Sequence, residues 1–355
     1  MAKAPSLLPA IIDEAVRREA ADIILSFGCV PVLKVDDALV RLEKFGVLSD
    51  HDLSTLVGDV LPSSKSEELK RDRQADFAYA YGNVRFRVNV FYQRGHLSAV
   101  LRYVRDVIRT PEQLGLPDLV KELVGNDNGL ILMVGPTGSG KSTSLAAMLD
   151  YVNENFDKHI ITIEDPVEYV YTNKKSLVEQ REIGIDAISF PAALRSALRE
   201  APDVILLGEM RDLDSISAAI TVAETGHLVL STIHANSAPG TIDRIVDVFP
   251  AGQKDQIRIQ LADVLLAVLN QRLVPRADGN GSMLILEVMT ATTAVRNAIR
   301  TSNSAQLPNV IQTSSEEGMI LLDDALMRAV RKGDISKESA LSYANDRVEL
   351  KKLLG

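Results

Sequence analysis

Cysteine, tryptophan and long apolar runs are scarce in this chain of 355 residues, which contains one cysteine and no tryptophan. A single thiol cannot build a disulfide framework or a cysteine-based zinc site. No run of roughly 18 apolar residues is present, so we expect no membrane-spanning helix. The mildly apolar start is followed at once by Asp13 and Glu14, unlike a signal peptide. These absences predict a cytoplasmic protein that is at most peripheral to a membrane.

Positive charge is also in short supply. The chain has 39 Lys and Arg residues against 48 Asp and Glu residues, a formal net charge of −9. Proteins that act on DNA or RNA usually present a basic groove to the phosphate backbone. The acidic balance therefore argues against nucleic acid as the main partner. The hydrophobic fraction of 46% is that of an ordinary folded protein with a substantial core.

A complete P-loop stands at residues 135–143. An apolar run at 130–134 precedes it, and residues 145–152 after it carry apolar side chains at helical spacing. Glycines let backbone N–H groups approach a triphosphate, and the helix N-terminus favours negative charge. We predict that ATP and Mg²⁺ bind here, with Lys141 at the β- and γ-phosphates and Ser142 at the metal. The binding residues are Gly135, Pro136, Thr137, Gly138, Ser139, Gly140, Lys141, Ser142 and Thr143.

Two further apolar runs end in carboxylates. The run 204–207 is followed by Gly208 and Glu209, which is the Walker B arrangement and predicts a second contributor to the metal site. The run 160–163 is followed by Glu164, which we expect to orient or deprotonate the attacking water. For the neighbouring Asp165, catalysis and capping of the turn before a proline are both open.

Two histidines flank the apolar run 228–232. His234 follows the run, so it would face the same crevice and could report the γ-phosphate through a hydrogen bond. His227 precedes the run, and for it a functional role is open. The alternative for both residues is a histidine satisfied within the core.

Arginines are concentrated in one part of this acidic chain. Between residues 84 and 109 the sequence contains Arg85, Arg87, Arg94, Arg102, Arg105 and Arg109. Arginine donates a planar fork to phosphate oxygens, so a triphosphate is one candidate partner, and a solvated strand face is the alternative. Arg195 and Arg199 stand four residues apart, which predicts one face of a helix at 192–199 that could reach a neighbouring subunit's nucleotide.

The pattern of elements changes along the chain. Residues 1–109 read as a small α+β domain, with strands at 76–81, 84–92 and 98–104, and residues 110–128 as a linker with one short helix. From residue 129 to 355, strands and helices alternate, as in a parallel sheet covered by helices. The part after Asp255 reads as mostly helical, interrupted by a hairpin near residues 278–281.

Four motifs in this order resemble those of the secretion ATPases, the hexameric motors of type IV pili and type II secretion. The motifs are the P-loop at 135–143, an Asp box at 163–169, a Walker B stretch at 207–212 and a His box at 223–228 with 231–236. The likeness is strongest to the pilus-retraction, PilT-like branch. Residues 294–300 resemble that branch's AIRNLIR motif, one cysteine cannot supply the zinc element of assembly and secretion motors, and we expect no counterpart of their long N-terminal extension.

The resemblance implies an N-terminal PAS-like α+β domain, then a RecA-like ATPase domain with a helical C-terminal part. It implies a homohexamer that hydrolyses ATP to retract pili in twitching motility, at the cytoplasmic face of the inner membrane, with the platform protein of the pilus base as partner. It also implies that Arg87 and Arg102 contact phosphates and that Arg195 and Arg199 act from an adjacent subunit.

Two positions depart from the family pattern and leave the retraction paralogue open. Ile24 stands where the family has histidine, and Ala201 stands where an acidic residue usually precedes Pro202. A pilus-assembly or type II secretion motor, a RecA-like DNA translocase and an ATP-gated scaffold without turnover are the alternatives. The presence of both Glu164 and Glu209 argues against the scaffold.

Overall fold

Two units make up the chain. The computed structural model describes residues 7–35, 38–82, 84–104 and 107–354. The division falls between Val107 and Ile108, two residues before the predicted boundary. Arg105, one of the clustered arginines, lies outside the described residues.

The first unit is an antiparallel sheet with three helices. Its order in space is β3-β2-β1-β6-β5-β4. The elements are α1 (Leu8–Arg17), β1 (Asp22–Ser26), β2 (Val32–Val35), β3 (Ala38–Arg41), α2 (Asp50–Val60), α3 (Ser66–Asp72), β4 (Gln74–Tyr81), β5 (Val84–Gln93) and β6 (His96–Val104). The predicted α+β domain and its three strands are confirmed.

Side-chain alternation explains how this sheet forms its core. On β5, Phe86, Val88 and Val90 are buried, whereas the exposed Arg87 lies on the other face. Apolar side chains of α1 and α2 belong to the same core cluster. Ser49 begins α2 with a capping box, in which Ser49 and Asp52 satisfy each other's backbone N–H groups. The unit therefore buries one sheet face and leaves arginine-bearing strand positions exposed.

The second unit is built on a seven-stranded sheet of order β13-β12-β7-β11-β10-β8-β9. Its elements are α4 (Pro111–Leu114), α5 (Leu119–Val124), β7 (Gly129–Val134), α6 (Lys141–Asn155), β8 (His159–Glu164), β9 (Leu177–Glu182), α7 (Phe190–Ala197), β10 (Val204–Leu207), α8 (Leu213–Glu224), β11 (Leu228–Ile233), α9 (Ala238–Asp247), α10 (Lys254–Val264), β12 (Leu265–Pro275), β13 (Ser282–Thr290), α11 (Thr293–Arg300), α12 (Leu307–Thr313), α13 (Leu322–Lys332), α14 (Lys337–Tyr343) and α15 (Arg347–Leu354).

The central strands β7, β8, β10 and β11 are buried along almost their whole length, which explains their mostly apolar sequences, whereas the edge strand β9 is polar and partly exposed. On β7, Leu130 and Leu132 face one core cluster, whereas Ile131 and Met133 face the other. All neighbouring strands pair in parallel except β12 with β13. The carboxyl ends of β7, β8, β10 and β11 therefore meet at one edge of the sheet. No helix in the described ranges is long and apolar enough to cross a membrane.

The predicted linker at 110–128 differs from the structure. It contains two short helices, α4 and α5, and Leu116, Val120 and Leu123 join the core cluster beneath α6. This segment belongs to the second unit because its apolar side chains are buried there. The predicted hairpin near residues 278–281 is confirmed, since it joins β12 and β13, two long strands that extend the central sheet, and the rest of the region after Asp255 is mostly helical, as predicted.

Helix α11 carries the two arginines of the AIRNLIR-like segment, which reads from sequence as an exposed cationic face. The structure places Arg296 differently. Its Nε donates to the carbonyl of Ala291 at 2.9 Å, and its Nη1 donates to the carbonyls of Asp263, at 2.8 Å, and Ala262. These last two carbonyls lie in the final turn of α10, where a cation is favourable. Arg296 therefore joins α11 to α10, whereas the exposed Arg300 pairs with the Asp263 side chain.

We expect Arg296→Met to lower the free energy of unfolding of the second unit by about 2 kcal/mol, because carbonyls at the end of α10 lose a charged donor. Arg300→Met is the matched control. It removes a surface ion pair and should cost at most about 0.5 kcal/mol. Urea denaturation of both variants measures the difference. Equal losses in the free energy of unfolding would contradict the role of Arg296 in joining α11 to α10.

Candidate functional site

The P-loop lies at the carboxyl edge of the central sheet. It leaves β7 after Val134 and enters α6 at Lys141, with Gly140 in a left-handed conformation at φ 84° as the N-cap. Gly135 requires the absence of a side chain, because a Cβ there would lie 2.5 Å from the Gln271 carbonyl oxygen. The loop therefore runs between a strand end and a helix N-terminus, the position that suits an anion.

Lys141 is folded back over this loop. Its Nζ donates to the carbonyls of Gly135 at 2.9 Å and Pro136 at 3.0 Å. Burial lowers the pKa of the Lys141 ammonium, and the nearby carboxylates of Glu209 and Glu168 act in the opposite direction. The amine is thus held at the mouth of the loop, between backbone oxygens and acidic side chains.

The rest of the P-loop offers hydroxyl groups. The Ser139 Oγ is buried and has no hydrogen-bond partner within the described residues. Ser142 is exposed in the first turn of α6. Thr143 shares a hydrogen bond of 2.8 Å with the hydroxyl of Tyr169, which follows β8. The loop therefore combines an unsatisfied buried hydroxyl with an accessible one, which fits a polar ligand carrying many acceptor oxygens.

Glu164 ends β8 and is only 8% exposed. It accepts hydrogen bonds from the Thr162 hydroxyl at 2.6 Å and from the Gln180 amide at 3.4 Å. Burial raises the pKa of Glu164 to about 7, and the bonds from Thr162 and Gln180 limit the rise. A carboxyl group with this pKa changes protonation near neutral pH, as a general base requires. Asp165, which follows, is exposed.

Glu209 lies at the end of β10, close to His234 at the end of β11. The His234 Nε2 is 3.2 Å from one Glu209 carboxylate oxygen, and the Arg211 Nε donates to the other at 2.7 Å. The Thr232 hydroxyl donates to the Gly208 carbonyl at 2.7 Å, which ties the two strand ends together. The structure therefore brings Glu209 and His234 into one cluster, as their positions in the sequence predict.

His227 is at the opposite edge of the sheet. It precedes β11, and its carbonyl accepts from the backbone N–H of Gly129 at the start of β7. Its ring contacts the Val222 carbonyl and the Thr225 hydroxyl at the end of α8. Because the P-loop lies at the other end of β7, His227 lies away from the phosphate-facing loop of its own chain, and its functional role stays open.

The predicted arginines are distributed over both units. In the first unit Arg87 and Arg102 are opposite each other on β5 and β6, and the Arg102 Nε donates to Asp22 at 2.8 Å. In the second unit Arg195 is exposed on α7. Arg199 is also exposed but is not on that helix, which ends at Ala197. The predicted shared helix face is therefore wrong, since the chain turns at 198–201 ahead of Pro202.

A polar group that we did not predict borders the P-loop. The strand β12 contains Asn270, Gln271 and Arg272, all buried, and the neighbouring β13 contributes the buried Glu287. Burial raises the pKa of Glu287, although Asn270, the backbone N–H of Ala238 and Arg272 counteract it. The available signal was three consecutive polar residues inside an apolar run, which a buried strand tolerates only if each finds partners.

Comparison with known proteins agrees with this arrangement. The sequence profile of the family described as Type II/IV secretion system protein (T2SSE) matches residues 6–341. The chain is 44% identical to the "Type IV pilus retractation ATPase PilT" of Pseudomonas aeruginosa, over 92% of this chain and 95% of the relative. It is 41% identical to a "Twitching motility protein" of Neisseria gonorrhoeae, over 96% of this chain and 91% of the relative.

A solved structure supports the same relationship. The crystal structure of the pilus retraction motor PilT with bound ADP is 43% identical in sequence and superposes with a TM-score of 0.92, covering 98% of this chain and 100% of that chain. The predicted RecA-like fold, with its preceding α+β domain and its helical C-terminal part, is thereby confirmed. This chain belongs to the type II/IV secretion system protein family.

Proposed function

We propose that this protein is an ATP-hydrolysing motor that drives retraction of type IV pili in twitching motility. The observation that carries the proposal is the group at one sheet edge: a P-loop with its lysine, the buried Glu164, and Glu209 beside His234. The relatives named for pilus retraction and twitching motility are 44% and 41% identical to this chain, and a type II secretion system protein E is 35% identical over 76% of it.

The P-loop residues 135–143 would hold the phosphates. Its glycines allow close approach of the backbone, and Lys141 would exchange its contacts with two loop carbonyls for phosphate oxygens. Bound Mg²⁺ would neutralise phosphate charge, with Ser142 and Glu209 as its protein contacts. Among the described residues no group of three acidic, histidine or cysteine side chains could hold a metal alone, which suits an ion shared with the substrate.

Glu164 would orient the attacking water and accept its proton. The Thr162 and Gln180 hydrogen bonds fix the carboxyl group in place, and its pKa near 7 makes it a suitable base at neutral pH. His234 would respond to the γ-phosphate through Glu209, its neighbour in the cluster. Two arrangements of this edge, one favoured by ATP and one by ADP, would convert hydrolysis into movement.

The arginines would complete the site in a homohexamer. Arg87 and Arg102 of the first unit are opposite each other in an exposed cationic pair, suited to phosphate oxygens. Arg195 and Arg199 are exposed and would act on the nucleotide of an adjacent subunit. The ring would work at the cytoplasmic face of the inner membrane, on the platform protein of the pilus base, without nucleic acid as a partner.

The alternatives differ in their cellular outcome. Deleting the gene of a retraction motor leaves cells hyperpiliated and unable to twitch, and restoring the wild-type gene should reverse both effects. Bald cells would instead indicate pilus assembly, and loss of protein export would indicate type II secretion. If DNA stimulates ATP turnover by the purified protein, a DNA translocase is favoured. If the purified protein does not turn over ATP at all, an ATP-gated scaffold is favoured.

We expect Glu164→Gln to retain ATP binding while turnover falls by about 10²-fold or more, because the shape is kept and the base is removed. In the wild-type enzyme, kcat/KM should fall about tenfold per pH unit below pH 7, as the carboxylate takes up a proton. Glu179→Gln, an exposed change on β9, is the control and should keep the wild-type profile. A rate independent of pH between 5.5 and 8 would move the role of base to another residue.

The same carboxyl group links pH to stability. Its pKa is raised in the folded state, from 4.5 to about 7, so its protonated form stabilises the fold at low pH, and this contribution is lost as pH rises through 7. The glutamine of Glu164→Gln does not titrate, so the stability of this variant does not fall for this reason as pH rises. We therefore expect the variant to gain Tm relative to wild type between pH 5 and pH 8, and a constant difference in Tm would contradict a buried, titrating Glu164.

A shared active site can be tested by mixing two inactive variants. Arg199→Ala lacks the arginine that acts on a neighbour, and Glu164→Gln lacks the base of its own site. In randomly mixed rings, about a quarter of the interfaces join an intact Glu164 to an intact Arg199. ATP turnover in the mixture should exceed that of either variant, and light scattering should show a hexamer with nucleotide. If ATP turnover in the mixture equals only the sum of the residual turnovers of the two variants, the shared site is ruled out.

A further inference from the structure

Strand β12 continues past the end of β7 and runs beside the P-loop. Asn270 pairs in parallel with Val134, the last residue of β7, and β12 goes on to Pro275. Gly140 is also confined by this strand, less tightly than Gly135, since a Cβ there would lie 2.9 Å from the Gln271 Nε2. The residues that follow Asn270 therefore form a wall of the phosphate-facing loop.

Gln271 binds the P-loop on one face of the sheet. Its Nε2 donates to the Ser139 carbonyl at 2.6 Å, and its Oε1 accepts from the Ser144 hydroxyl in α6 at 2.8 Å. Gln271 is 1% exposed and Ser139 is 4% exposed, so this hydrogen bond is buried. Because the loop's N–H groups must point at an anion, its carbonyls have to point into the protein, and Gln271 supplies the donor for this one.

Arg272 binds a different loop on the other face, as alternation along a strand requires. Its Nη2 donates to the Asn236 carbonyl at 2.8 Å, and its Nη1 donates to the Asn270 side-chain oxygen at 2.8 Å and to the Gln271 carbonyl at 3.0 Å. The Asn270 amide donates to the same Asn236 carbonyl at 3.0 Å. Two side chains of β12 thus hold one backbone oxygen two residues after His234.

Glu287 completes this network from β13. One of its carboxylate oxygens accepts from the Asn270 amide at 2.7 Å and from the backbone N–H of Ala238, the first residue of α9, at 2.8 Å. The loop 234–237 is therefore fixed at both its Asn236 carbonyl and its junction with α9. His234, at the start of that loop, is 3.2 Å from Glu209.

We infer that Gln271 and Arg272 are positioning residues for the two phosphate-facing loops, Gln271 for the P-loop and Arg272 for the loop that carries His234. This inference rests on the proposed function, because both loops are taken to face a nucleoside triphosphate. The two residues are adjacent in sequence, yet they act on opposite sheet faces and on different loops. Their loss should therefore affect different kinetic constants.

The P-loop binds phosphate in the ground state as well as during the reaction. Because Gln271 positions this loop, Gln271→Met should weaken ATP affinity about tenfold or more. Its kcat at saturating ATP should stay within about threefold of wild type. The Arg272 Nη1 also lies 3.4 Å from where a Gly135 Cβ would be, so Arg272→Lys is chosen because it keeps the positive charge near the P-loop and loses only the planar fork. It should keep ATP affinity within about threefold while kcat falls about tenfold or more, because His234 and Glu209 lose their alignment.

The experiment measures ATP binding by calorimetry, steady-state turnover and Tm for each full-length variant. Gln260→Met and Arg328→Lys, changes to partly or fully exposed side chains on α10 and α13, are matched controls that should behave as wild type. Inorganic triphosphate, used as a competitor, should lose affinity for Gln271→Met by the same factor as ATP. That result would place the defect in phosphate binding rather than in recognition of the base or in folding.

Binding of ATP by wild-type protein, together with its loss in Lys141→Ala, tests phosphate binding by the P-loop separately. Once that binding is established, the inference is supported if Gln271→Met loses mainly ATP affinity and Arg272→Lys loses mainly kcat. Parallel losses of affinity, kcat and Tm in both variants would overturn it, since β12 would then serve the fold alone. Wild-type constants in either variant, or a reversed split, would also overturn it.

Discussion

The backbone of the P-loop imposes the constraint on which the rest of the site depends. A loop that presents N–H groups to an anion must turn its carbonyls toward the protein, and each carbonyl then needs a donor. The Ser139 carbonyl receives the Gln271 amide, and the carbonyls of Gly135 and Pro136 receive the Lys141 ammonium. The close approach of β12 and the need for Gly135 both follow from this arrangement.

Environment gives the two acidic residues of the site different properties. Glu164 is buried among neutral donors, and burial raises its pKa to about 7. Glu209 lies between His234 and Arg211, which offer it charged or polar partners. The first carboxyl group can therefore exchange a proton near neutral pH, whereas the second is held between a histidine ring and an arginine side chain. Both residues follow the ends of adjacent strands, and only their surroundings distinguish them.

The sequence predicts the part of the site that depends on local pattern. Each of β7, β8, β10 and β11 is a mostly apolar strand that ends at a glycine, a carboxylate or a histidine, so the position of Lys141, Glu164, Glu209 and His234 at one edge follows from parallel pairing. The role of β12 does not, because Asn270, Gln271 and Arg272 interrupt an apolar run and the loop carbonyls that they bind, those of Asn236 and Ser139, are more than 30 residues away. Arg296 was misassigned for the same reason, since the acceptors of its Nη1 are carbonyls of another helix.

The central claim is that the phosphates, held by the P-loop and Lys141, carry nucleotide binding. Calorimetric titration of the wild-type protein with adenosine, ADP and ATP in the presence of Mg²⁺ tests it directly. Charged oxygens held by backbone N–H groups and an ammonium should make ADP and ATP bind at least about 100-fold more tightly than adenosine. If adenosine binds within a few fold of ADP, the P-loop is not the source of affinity and the account is wrong.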